Sequence, residues 1–199
     1  NEDALRMMRA VRFAGQLGFS IESDTFNAIR TLKANLERVA VERMKVEFEK
    51  MILSPHRTLS FKAFVESELY HSCPDFKEAK ETLLKIGAFP LEKLTITQAW
   101  ILFAYYEQLT IPQLRKVLKD WKSSNDQIST ILTGYQTLLA RLEKEWDAFL
   151  AYECPEALAV EVEQLLPGIG RVEQLEELKS VYKQLPIRSM KDIQIDGFG

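Results

Sequence analysis

Near the start of the chain an aspartate and three arginines recur every third residue, Asp3, Arg6, Arg9 and Arg12, within the stretch EDALRMMRAVRF. Ionised aspartate only accepts hydrogen bonds, and arginine only donates them, in a planar fork. Cytosine and adenine each set an amino donor beside a ring-nitrogen acceptor on the pairing edge, so Asp3 and Arg6 side by side match both. Uracil and guanine carry the reverse order and would leave buried polar groups unpaired, at a cost of several kcal/mol.

Such a filter works only if a rigid element holds it. Residues three apart on an α-helix are displaced by about 300°, so the three arginines make a slanting stripe about 9 Å long, which Asp3 extends toward the N-terminus. The remaining eight of the eleven residues from Ala4 to Ala14 are apolar, so this helix is expected to be packed on most faces, with the stripe bordering a crevice or a buried network. Buried guanidiniums need acceptors, and two kinds are open. One is carboxylates of neighbouring helices such as Glu42 and Glu47, with Glu2 and Asp3 favouring the positive helix N-terminus. The other is a ligand rich in acceptors, such as a nucleotide.

Helical periodicity continues through the chain and predicts an all-α fold of about ten helices. The first runs from Asn1, a candidate cap, to Leu17, and Gly18 supplies a left-handed stop. SDTFNAIRTLKANL reads as a second helix capped by Ser23 or Asp24, and VERMKVEFEKMIL as a third whose apolar stripe is Val41, Met44, Phe48, Met51 and Ile52. FKEAKETLLKIGAF is expected to be a helix that stops near Gly87 and Pro90, ITQAWILFAYYEQL to centre a second core, and TIPQLRKVLKDWK to start with Thr110 as cap and Pro112 in its first turn. The aromatics Trp100, Phe103, Tyr105 and Tyr106 read as core packing rather than a base-stacking platform, and the row Lys116, Lys119 and Lys122 as a solvated face, with contact to a nucleic-acid backbone as the alternative. SPHRT interrupts the pattern near residues 54–60, while PIRSMKDIQIDG lacks helical periodicity.

The chain has 199 residues, 46% hydrophobic and 28% charged, an ordinary composition for a globular protein. No apolar run approaches the length of a membrane span, and no basic-then-apolar leader is visible, so no membrane partner and a cytoplasmic location are expected. Cys73 and Cys154 lack zinc-site spacing and read as structural thiols, and neither His56 nor His71 is followed by a carboxylate; no metal site is expected here. Residues 1–62 carry a net charge of +3 and the rest −6, so the basic end is the one suited to a polyanion.

The stretch EDALRMMRAVRFAGQLGF, followed by TFNAI and by VERMKVEFEKMI, resembles the class II tRNA nucleotidyltransferases, the bacterial CCA-adding enzymes. LKDWKSSND and LPIRSMKDIQIDG are similar to later stretches of that family. The resemblance implies helical neck and body domains: a neck over residues 1–56, a tRNA-binding body over 57–186 and the start of a tail over 187–199. It implies that Asp3 and Arg6 read the incoming base, that Arg9 and Arg12 line the same site toward sugar or phosphate, and that Glu42, Arg43 and Glu47 form a bracing segment. Ala40 stands where serine is frequent, so a helix cap is expected to be missing. The substrates implied are CTP and ATP, and the partners the 3′ end and acceptor arm of tRNA; a homodimer is left open. The family's catalytic aspartates and the Mg²⁺ they hold lie outside this sequence, so the chain reads as a fragment without catalytic residues, inactive alone. Class II poly(A) polymerases share the core, and a non-catalytic helical module binding RNA or protein is the remaining alternative.

Overall fold

The structure is a computed structural model that describes residues 2–186. Those residues form eleven α-helices and no strand. They are α1 (Glu2–Leu17), α2 (Ser23–Leu32), α3 (Val41–Ile52), α4 (Arg57–Glu66), α5 (Lys80–Gly87), α6 (Ile96–Glu107), α7 (Ile111–Asp120), α8 (Asn125–Glu143), α9 (Ala148–Tyr152), α10 (Glu156–Glu163) and α11 (Leu175–Gln184). The described residues divide into two compact units, one ending at Leu132 and the other beginning at Thr133, with the division inside α8. The neck–body division expected at 56/57 falls inside the first unit, where α1 packs on both α3 and α4. The candidate cap Asn1 and the expected tail at 187–199 lie outside the described residues.

The first unit is organised by aromatic burial. Phe48 of α3 sits 5.7 Å from Trp100 of α6, 5.1 Å from Phe76 and 5.1 Å from Trp121, ring centroid to centroid. The apolar segment of α6 therefore shares one core with α3 rather than centring a second one. Each such ring removed from water contributes about 1.5–3 kcal/mol. Trp100 and Phe103 are buried, as core packing requires, while Tyr105 and Tyr106 are half-buried at the edge.

Local chemistry sets the helix ends. Gly18, at φ +73°, donates from its N–H to Ala14 O at 2.9 Å and closes α1. Thr95 and Thr110 open α6 and α7 with reciprocal bonds to Gln98 and Gln113, and Pro112 occupies the first turn of α7. At the start of α3, Ala40 makes no side-chain cap, as its methyl group dictates. The second helix departs from expectation twice. Its N-cap is Glu22, without a side-chain bond, and the α-helix gives way at Lys33–Arg38 to a 3₁₀ turn. That winding advances about 120° per residue, so Leu36 turns into the core while Leu32 stays half exposed. Likewise α5 starts only at Lys80, because Phe76 belongs to the aromatic cluster and Asp75 takes φ +60° just before it.

Arg57 ties α4 to α5. Buried, it donates from Nε to Ile86 O at 3.1 Å and from Nη2 to Phe89 O at 2.8 Å and Leu91 O at 2.9 Å, at the negative end of α5. Burial holds its pKa below the ordinary guanidinium value.

The second unit is built around a smaller core that includes Trp146, Leu150, Leu158, Leu178 and Tyr182. At its edge the fully buried Glu163 accepts from Arg141 Nε at 3.1 Å and Nη2 at 3.0 Å, from Trp146 Nε1 at 2.7 Å and from the Gln174 N–H at 2.8 Å. The two free thiols are buried, Cys73 in the first unit and Cys154 in the second. Among the described residues no helix is long and apolar enough to cross a membrane, and no three His, Cys, Asp or Glu side chains cluster as a metal site.

Candidate nucleotide-selecting site

Helix α1 buries Leu5, Met8 and Val11 against α3 and α4, and this fixes how the stripe is presented. Side-chain exposure falls along the row: 81% for Asp3, 72% for Arg6, 40% for Arg9 and 10% for Arg12. The structure therefore splits the expected crevice-lining row into an open end and a buried end.

At the open end, Arg6 Nη1 lies 3.6 Å from Asp3 Oδ1. This is longer than a hydrogen bond, so fork and carboxylate stand beside each other rather than locked together. An acceptor and a donor thus stand side by side near the start of α1. At the buried end, Glu47 of α3 takes both remaining arginines. Its carboxylate is 3.4 Å from Arg9 Nε and 2.9 Å from Arg12 Nε. The Arg12 contact is an ion pair by distance only. Its N–H is not aimed at the oxygen, so Arg12 Nε and Glu47 Oε2 are both buried without a hydrogen bond. The Arg12 guanidinium also lies 4.4 Å from the centroid of the Phe13 ring.

Of the three residues expected to brace the site, Glu42, Arg43 and Glu47, two make contacts from α3 to α1. Glu47 is the buried counter-charge, and Arg43 Nη2 donates to Glu2 Oε1 at 2.8 Å, tying the first turn of α1 to α3. That bond and the Arg43 charge hold the Glu2 carboxyl below its ordinary pKa. Glu42 is exposed, and the arginines of the stripe pair with Glu47 instead. The Glu2–Arg43 tie is not apparent from periodicity, because it joins two exposed positions 41 residues apart.

Two other features stand away from the stripe. Lys116 is held between Asp75 at 3.1 Å and Asp120 at 2.6 Å, whereas Lys119 and Lys122 are exposed. On α1 itself the open face continues past Arg6 to Phe13, 40% exposed, and Leu17, 70% exposed.

Comparison with known proteins gives the class first. A family described as "tRNA nucleotidyltransferase domain 2 putative" matches residues 92–198, and one described as "Probable RNA and SrmB- binding site of polymerase A" matches residues 18–80. The chain belongs to the tRNA nucleotidyltransferase family. Among individual proteins, the CCA-adding enzyme of Enterococcus faecalis is 37% identical over 198 residues, covering 99% of this chain and 49% of that protein. The CCA-adding enzyme of Latilactobacillus sakei is 35% identical over 203 residues, covering 99% and 50%. A crystal structure of the Bacillus stearothermophilus CCA-adding enzyme in complex with CTP superposes with a TM-score of 0.83 at 27% identity, covering 94% of this chain and 48% of that one. The chain thus spans about half the length of the relatives it matches.

Proposed function

We propose that this chain is the nucleotide-selecting and tRNA-supporting half of a CCA-adding enzyme, which adds or repairs the 3′-terminal CCA of tRNA from CTP and ATP. The observation that carries the proposal is the Asp3–Arg6 pair, an acceptor beside a donor at the exposed N-terminal end of a helix whose opposite face is buried. The names of the relatives, and CTP in the complex of one of them, support the substrate class.

In this reading Asp3 accepts the amino group of C or A and Arg6 donates to the neighbouring ring nitrogen. Arg9, half exposed, leaves its 3.4 Å contact with Glu47 to meet sugar or phosphate, and Arg12 backs the site from the core. Arg43 and Glu47 hold α1 against α3, with Glu42 at the exposed edge of the same brace. Residues 1–56 then act as neck, 57–186 as tRNA-supporting body and 187–199 as the entry to a tail. The likeness to CCA-adding enzymes, of which this chain spans about half, supports a metal held by carboxylates of the remaining half. Bound there, it would activate the primer hydroxyl and offset charge on the leaving pyrophosphate.

The test is made in the full-length protein, with tRNA lacking its terminal residues and each nucleoside triphosphate in turn. Asp3→Ala and Arg6→Ala are expected to erode the preference for CTP over UTP by about 10²-fold or more, while tRNA affinity stays within about 2-fold. Wild-type nucleotide preference in both variants would sink the proposal. Wild-type incorporation of ATP alone would favour the poly(A) polymerase reading, to which the match over residues 18–80 also points.

A further inference from the structure

The reading pair sits in the first two turns of α1, and toward the other end of the helix α4 packs closely against it. Ser60 of α4 is fully buried, and its hydroxyl lies 3.1 Å from Val11 O and 3.3 Å from Arg12 O, sharing one proton between two carbonyls of α1. Gly15 faces it across the crossing. A methyl group on Gly15 would lie 1.9 Å from Ser60 Oγ and 2.8 Å from Ser60 Cβ, so no side chain fits. Gly15 O also accepts from the His56 N–H at 3.0 Å. Glycine is a poor helix former, and its use inside α1 is explained by this close approach.

We propose that Gly15 and Ser60 are a positioning pair for nucleotide selection: together they set the height and rotation of α1 over α4, and through them the place of Asp3 and Arg6. The proposal rests on the base-reading role of Asp3 and Arg6 given above. Asp3 lies twelve residues before Gly15, about 18 Å along the helix. A swing of only about 5° at the crossing displaces the reading pair by about 1.5 Å, and a misplacement of about 1 Å can cost two orders of magnitude in rate. Seating a methyl group at Gly15 requires the 1.9 Å approach to open to an ordinary contact, which is a displacement of that size. The hydroxyl adds a rotational lock. It binds carbonyls of two successive residues, so turning α1 about its axis breaks at least one of the contacts.

The experiment uses the full-length protein and four variants, Gly15→Ala, Ser60→Ala, the exchange Gly15→Ala with Ser60→Gly, and Asp3→Ala as reference. The readouts are the ratio of UTP to CTP incorporation, KM for CTP, tRNA affinity and the melting temperature. Gly15→Ala is expected to raise the UTP:CTP ratio about 10-fold or more and to raise KM for CTP, with tRNA affinity unchanged. The exchange, which clears both Ser60 contacts and leaves only a 3.1 Å approach to Ser54 Cβ, should recover the ratio to within about 3-fold of wild type, and Ser60→Ala should shift it in the same direction as Gly15→Ala by about 3-fold. A purely structural role would lower the melting temperature and leave the ratio alone. A folded Gly15→Ala protein with the wild-type ratio overturns the positioning role, as does an exchange variant that recovers nothing. If Gly15→Ala does not fold, a wild-type ratio in Ser60→Ala overturns it. A wild-type ratio in Asp3→Ala overturns the base-reading role itself, which separates the two failures.

Discussion

Replacing Glu47 with alanine removes the one carboxylate that serves two arginines, and its cost follows from their burial. Arg12 is only 10% exposed at its side chain, so it would be left as a buried charge without a counter-charge. Breaking a buried pair in this way costs about 3–5 kcal/mol. The lower end applies here, because the 2.9 Å contact lacks a directed hydrogen bond and the Phe13 ring holds the guanidinium on one side. Arg9 is 40% exposed and 3.4 Å away, so water takes over most of its share, and it adds less than about 1 kcal/mol. The expected loss is about 3–4 kcal/mol, equivalent to roughly 6–16 °C in melting temperature for a chain of this size. Urea titration followed by tryptophan fluorescence gives the total. Hydrogen exchange of α1 and α3 peptides assigns it, since Trp146 reports on the other unit. The Glu47→Met, Arg12→Met double variant should recover most of the loss, because it buries no charge. A loss below about 1 kcal/mol for Glu47→Ala, or a double variant no better than the single one, would refute the brace.

Glu163→Ala in the second unit strips four donors of their acceptor; about 3–5 kcal/mol should be lost, read as faster hydrogen exchange in α10 and α11, and unchanged protection there would contradict it. Burial first, and then its hydrogen bond with Asp120, push the Asp75 carboxyl up from its ordinary 3.8, while that bond and Lys116 pull Asp120 down. A raised carboxyl destabilises the fold above its folded pKa and ceases to do so below its unfolded one. Asp75→Asn should therefore be more stable than wild type at pH 7, with the advantage fading as pH falls toward 3.8, and asparagine suits the φ of +60°. Asp120→Asn should behave with the opposite sign, losing stability at pH 7 and converging on wild type in acid. Burial also pushes the Cys73 and Cys154 thiols up, so a thiol reagent at pH 8 should label them only as fast as the fold opens; prompt labelling of the native protein would show an accessible thiolate.

Much of this architecture is legible where one local rule dominates. The starts of α6 and α7 follow from Thr95–Gln98 and Thr110–Gln113, and the end of α1 from Gly18. The choice of Glu47 over Glu42 is legible too, in retrospect. Glu47 is three residues after Met44 and four before Met51, both buried, which puts its carboxylate on the apolar face of α3, whereas Glu42 is turned about 140° away. What stays hidden depends on partners distant in the chain. Phe76 leaves its helix because Phe48 and Trp121 offer it a better place, and Gly15 is unremarkable until Ser60, 45 residues later, is laid across it.

The same geometry explains why one repeating row does two jobs. Each step of three residues turns the row by about 60° around the helix. From Arg12, on the side of Leu5 and Met8, three steps toward the N-terminus bring it round to Asp3, and exposure rises with every step. A stripe with period 3.6 would have kept all four residues on one face, either all buried as a charged core or all solvated as a surface. The period of three instead buries one arginine as an anchor and leaves the last pair open. Anchor and exposed pair are then parts of one helix, so a change at Glu47, which holds Arg9 and Arg12, is carried along α1 toward Asp3 and Arg6.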